Sequence, residues 1–197
     1  MKRNLMLLFL ICLGINQLFA TSIDSPDKNL RLNFNVNQDG IPTYSLTYKN
    51  KDVIKESKLG LRIRIGLNLD RNFTIADTII SSSNSTWKPV WGENSSIVDN
   101  HNEMLVSLVQ KNSNWKINIR FRLFNDGLGF RYEFPVQERL RHFTIEDELT
   151  EFALAGDHKA FWIPADYDTN EFPITTSKLS KVNELIDEVR KEALAAK

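Results

Sequence analysis

The chain has 197 residues with 25 basic and 25 acidic side chains, a balance that provides no basic field to attract nucleic acid or anionic lipid. Cys12 is the only cysteine, so everything after it lacks disulfides, thiolate metal sites and a cysteine nucleophile. Stability must therefore come from a packed core.

Met1 to Ala20 reads as a signal peptide. Lys2 and Arg3 precede an apolar run from Leu5 to Ile15, and Gln17-Leu18-Phe19-Ala20 closes it. A membrane span needs roughly 20 consecutive apolar residues, whereas this run is broken by Gly14 and by Asn16-Gln17. Bulky Leu10-Ile11 before Cys12 argues against lipid anchoring. The expectation is an exported, periplasmic protein with no membrane attachment after cleavage and a mature charge near −2, since losing Lys2 and Arg3 leaves 23 bases against 25 acids.

Period-two alternation dominates the remainder of the chain, the pattern of strands with one buried face. Leu30, Leu32, Phe34 and Val36 alternate with polar residues, Asn37-Gln38-Asp39-Gly40 turns the chain, and Tyr44, Leu46 and Tyr48 resume, which predicts a hairpin. A turn at Lys49–Asp52 and a strand through Leu59, Leu61, Ile63 and Ile65 come next. Ser81-Ser82-Ser83-Asn84-Ser85 reads as a surface loop. Two further strands are predicted at Met104–Gln110 and Trp115–Phe124, the second with Lys116, Asn118, Arg120 and Arg122 opposite its apolar face. After Asn125-Asp126-Gly127 the chain returns through Phe130, Tyr132 and Phe134 until Pro135 stops it. His142–Glu148 and Ala160–Ile163 read as two more strands. Val182, Leu185, Ile186 and Val189 fall at helical spacing, so Lys181–Lys197 is expected to be an amphipathic helix. The fold class is all-β, an antiparallel sandwich or barrel over residues 21–180.

Gly127 and Gly129 lie between two strand patterns with no helix after them, which excludes a dinucleotide-binding loop. Trp87, Trp91 and Trp115 read as core residues, although exposed tryptophan beside polar groups would suit a sugar face. Asp166, Asp168 and Glu171 bring three carboxylates into one short segment. Calcium takes such oxygen ligands, but the segment lacks an EF-hand frame, and a solvated acidic loop is the default reading. Glycosidases need two carboxylates at controlled separation. Glu93, Glu103, Glu133 and Asp157 are read instead as ion-pair or loop residues. His101, His142 and His158 are too scattered for a metal triad and are read as structural or solvated.

Several segments together resemble the N-terminal domain of glycoside hydrolase family 97, which includes periplasmic α-glucosidases of Bacteroides type. They are Ser25–Leu30, Tyr44–Lys51, Trp87-Lys88-Pro89-Val90-Trp91-Gly92-Glu93, Asn100-His101-Asn102-Glu103, Arg122–Pro135 and Phe161–Glu171. The resemblance implies a galactose-mutarotase-like β-sandwich that walls the substrate pocket of a catalytic (β/α)8 barrel acting on α-glucosides or α-galactosides. It implies no catalytic residue in this chain. It does imply that Glu171, in the Asp-Tyr-Asp-Thr-Asn-Glu stretch, is a calcium ligand whose companions lie on the barrel. The expected partners are therefore an oligosaccharide and a catalytic barrel acting in trans. The chain is expected to be a truncated, inactive form that is marginally stable alone. A free-standing periplasmic sugar-binding sandwich is the alternative.

Overall fold

The computed structural model describes residues 21–64, 68–138, 140–165 and 172–195. In chain order these form β1 (Thr21–Asp24), β2 (Leu30–Val36), β3 (Pro42–Tyr48), β4 (Lys51–Lys58), β5 (Leu61–Ile63), β6 (Asn68–Leu69), β7 (Phe73–Trp87), β8 (Ile97–Gln110), β9 (Lys116–Leu123) and β10 (Leu128–Glu133). Next come β11 (Ile145–Glu148), β12 (Lys159–Trp162), β13 (Thr175–Lys178), a 3-10 turn (Leu179–Lys181) and α1 (Val182–Ala195). Two four-stranded antiparallel sheets, β1-β2-β3-β4 and β10-β9-β8-β7, make the sandwich, and β11-β5-β6 and β12-β13 are smaller sheets beside it.

Alternation explains why these strands form and how they face. On β2 and β3, Leu32 lies opposite Leu46 and Phe34 opposite Tyr44. On β8 and β9, Met104, Val106 and Leu108 lie opposite Phe121, Ile119 and Ile117. All are buried in one apolar cluster. Phe34 of the first sheet meets Phe121 of the second with ring centroids 5.7 Å apart, and Tyr44 meets Phe130 at 5.5 Å. Burying each such side chain contributes about 1.5–3 kcal/mol.

The predicted hairpin between β2 and β3 is present. The Asn37 side-chain oxygen accepts from the Asp39 N–H (3.0 Å) and the Ile41 N–H (2.9 Å), while Gly40 takes φ +72°. The same turn ties the sheets together, because Asn72 N–H donates to Asp39 O (3.0 Å) and Phe73 N–H to Gly40 O (2.9 Å).

Three sequence expectations change. Ser81–Ser85 is strand, not loop: it lies in β7 and pairs residue by residue with β8. Its serines are mostly exposed, so no apolar alternation marks a strand held by its backbone ladder. The strand expected through Leu59 and Ile65 is shorter, β5 over Leu61–Ile63; Ile65 lies outside the described residues. β1, β4, β6 and β13 are additional strands: β1, β6 and β13 are too short to carry a long alternation, and β4, which starts inside the expected Lys49–Asp52 turn, buries only Ile54 and Ser57. The terminal helix is found as α1, its Val182, Leu185, Ile186 and Val189 half-buried. Among the described residues no helix is long and apolar enough to cross a membrane. The expected signal peptide, residues 1–20, lies outside them.

Candidate functional site

The β7–β8 ribbon positions the most exposed aromatic groups. β9 pairs with β8 only from Asn102 to Val109, whereas β7 accompanies β8 to Ile97, so the far end of the ribbon projects beyond the four-stranded sheet. At its tip Trp87 is 51% exposed, Trp91 88% and Val90 fully. The expectation that Trp87 and Trp91 are core residues is therefore corrected: among the described residues no second layer covers this end of the ribbon. Trp115, at the opposite end of the same sheet, is buried as expected. Glu93 is exposed in the connecting loop.

Next to the ribbon, the outer surface of β8, β9 and β10 carries an ion-pair ladder. Arg120 on β9 donates through Nη1 to Glu103 of β8, and through Nε and Nη2 to Glu133 of β10 at 2.6 and 3.1 Å. Arg122 Nε donates to Glu103 (2.8 Å), and Arg131 Nε to Glu133 (2.8 Å). Arg120 holds the Glu133 carboxyl down to about 2, with burial opposing and Arg131 assisting. At Glu103 burial pushes upward, but the Arg122 and Arg120 hydrogen bonds outweigh it and leave the group below its ordinary value. Both glutamates are ion-pair residues, as read from the sequence. Two carboxylates clamped in their charged form by shared guanidinium groups cannot serve as proton donors near neutrality. Arg120, Arg122, Phe124, Gly129, Phe130 and Arg131 line a shallow concavity here. Sequence reading missed Arg120 as the centre of the ladder. Its signal was the run of polar residues opposite the apolar face of β9, which becomes informative only once the strand register is known.

The histidines separate as expected. His101 is buried, with Nδ1 2.6 Å from Asp99 and its ring 5.1 Å from that of Phe124. His142 and His158 are exposed. Asp157 is a loop residue whose carboxylate accepts from the Ser180 N–H (2.9 Å) and hydroxyl (3.0 Å) at the start of the 3-10 turn. Asp166, Asp168 and Glu171 lie outside the described residues. Pro164 and Phe172, on either side of them in the sequence, are both buried. Among the described residues no group of three or more His, Cys, Asp or Glu side chains could hold a metal ion.

A two-sheet antiparallel arrangement with an aromatic ribbon tip and an ion-paired outer face defines an all-β sandwich domain. The chain belongs to the glycosyl-hydrolase 97 N-terminal family, whose model matches residues 23–193. A glycoside hydrolase family 97 enzyme from Pseudoalteromonas sp. strain K8, solved in complexes with panose and with acarbose, is 36% identical with a TM-score of 0.76; the match covers 81% of this chain and 24% of that one. A retaining alpha-galactosidase of Bacteroides thetaiotaomicron is 23% identical over 92% of this chain and 28% of its own length. A beta-arabinopyranosidase structure, 24% identical with a TM-score of 0.67 over 73% of this chain and 23% of its own, shares the fold. The chain thus spans about a quarter of the length of these relatives.

Proposed function

We propose that this sandwich is the substrate-pocket-forming, carbohydrate-binding N-terminal domain of an exported α-glycosidase, with bond cleavage carried by a catalytic barrel outside these residues. The observation that carries the reading is the family match over residues 23–193 together with likeness to about a quarter of an enzyme solved with panose and acarbose. Glu171 would contribute one oxygen to a calcium ion near the reacting sugar. Asp166, Asp168 and Glu171 offer donors of the right class, but calcium takes 6–8 oxygens, so the rest of the shell would come from the barrel. Export to the periplasm follows from the Met1–Ala20 pattern.

The exposed Trp87 and Trp91 favour a second reading, a sandwich that binds sugar by itself. Calorimetric and tryptophan-fluorescence titration of residues 21–197 with maltose-type oligosaccharides separates the two. The domain reading expects no binding alone, and binding plus α-glycoside hydrolysis once a family 97 barrel is supplied as a separate chain or fusion. Saturable binding by the isolated sandwich would favour the second reading. Failure of the barrel to gain anything from the sandwich would count against the first.

A further inference from the structure

Every open sheet leaves edges, and this sandwich protects all but one of its major ones. The β4 edge is covered by the segment Glu151–Ala155: Lys55 N–H donates to Ala153 O (2.8 Å), Ala155 N–H to Val53 O (3.1 Å), and Ile54 bridges Leu154. β1 is only four residues long and ends in the Asp24–Arg31 ion pair. β10 carries Arg131 and Glu133, held in the ladder. Short strands, charges and covering loops are the ordinary means of blunting an edge.

β7 is protected only near its start, where Asp77 carries a charge and a bulge lies between Ile75 and Asp77. It is 15 residues long, it ends its sheet, and Asp77 is its only charged residue, with no lysine or proline between Phe73 and Trp87. Away from β8, its backbone bonds among the described residues are confined to one end. Phe73 N–H reaches Gly40 O, and Thr78 N–H is taken at 2.8 Å by the neighbouring Asp77 carboxylate. From Thr78 onward the other side of the strand has no partner among the described residues. Ile79 and Ile80, pointing to opposite faces, are 53% and 57% exposed. A long, uncharged edge rich in Ile, Thr and Ser is a template for another extended strand.

We propose that the Thr78–Thr86 edge pairs with the same edge of a second copy of this chain, antiparallel across a two-fold axis, to join the two β10-β9-β8-β7 sheets into one. The segment is self-complementary in charge. With the axis at Ser82, which faces Ser82 of the second copy, Thr78 faces Thr86, Ile80 faces Asn84, and Asp77 faces Trp87 rather than the second Asp77. Such an isologous contact closes on itself as a dimer.

Sedimentation velocity and light scattering on residues 21–197, over a micromolar to submillimolar series, provide the test. A concentration-dependent dimer is expected. Ser82→Lys with Asn84→Lys, both at exposed positions, should raise its dissociation constant roughly tenfold or more by setting like charges against each other. Ser95→Lys with Ser96→Lys, equal in charge but in the loop, should leave it unchanged. Independently of any variant, amide exchange in wild-type β7 should slow as concentration rises. A monomer throughout, or a dimer indifferent to the edge lysines and to β7 protection, overturns the proposal.

Discussion

At the scale of single residues, the ion-pair ladder has the clearest energetic consequences. Arg120 serves two carboxylates that are each at least three-quarters withdrawn from solvent. Removing it by Arg120→Met leaves each poorly solvated glutamate with one more exposed arginine, Arg122 or Arg131, as its remaining partner, and chemical denaturation should show a loss of about 1–3 kcal/mol. Glu133 gives the ladder a pH signature. Its folded value of about 2 lies below the ordinary 4.5. A depressed carboxylate stabilises the fold above its unfolded value and loses that contribution as pH falls through the folded one. The stability of the wild type should therefore fall between about pH 4.5 and 2, and Glu133→Gln should flatten that part of the profile while lowering stability at neutrality. Tyr44 behaves differently: burial pushes its hydroxyl up to about 12, so it remains a neutral donor to Glu151 O at 2.8 Å. Tyr44→Phe should cost about 1 kcal/mol at neutrality and should remove the loss of stability that the wild type shows as pH rises from about 10 to 12.

At the scale of elements, the tryptophans of β7–β9 show what the sequence could and could not convey. Alternation located β2, β3, β8, β9 and β10 because each has one buried face. It failed at Ser81–Ser85 because a strand uncovered on both faces has no apolar period to reveal. The same missing layer exposes Trp87 and Trp91, so composition alone could not separate them from buried Trp115. What decides is the extent of β9, which stops pairing with β8 at Asn102, a property of the register. The ladder was half legible: polar positions on β9 were visible, but their glutamate partners on β8 and β10 were not. Two substitutions quantify the contrast in thermal or chemical unfolding. Trp115→Ala should cost about 3–5 kcal/mol, whereas Trp91→Ala should stay within about 0.5 kcal/mol. The β2–β3 turn is equally specific. At Gly40 a Cβ would sit 2.6 Å from the Asn72 backbone, at a φ of +72°. Gly40→Ala should therefore cost about 2 kcal/mol or more by straining the turn and parting it from β7.

At the scale of the whole molecule, stability is unevenly distributed. The two large sheets supply most of the apolar cluster, with Leu59, Leu61, Ile63 and Leu69 of the β5–β6 region beside them, and the chain after β10 adds Leu140 as its buried member and Phe134 and Phe143 at the margin. β12 and β13 pair only with each other, and a two-stranded hairpin is marginal in water unless something covers a face. Here Phe161 and Ile174 are largely exposed, and the apolar stripe of α1 is only half-buried. Among the described residues the helix and the turn before it are tied to the rest by Arg190 to Ala165 O at 3.2 Å and by the Asp157 bonds to Ser180. Opening β12, β13 and α1 therefore exposes less apolar surface than opening β2, β3, β8 or β9, which dismantles the core. Native-state amide exchange should resolve two levels: β12, β13 and α1 exchanging through a low-energy local opening, and the sandwich strands only through global unfolding. Equal protection throughout would mean that the terminal hairpin and helix share the sandwich's cooperativity. Raised protection confined to β12, β13 and α1 when a family 97 barrel is added would place the contact of the proposed assembly on this layer, where an incoming surface could bury Phe161 and Ile174.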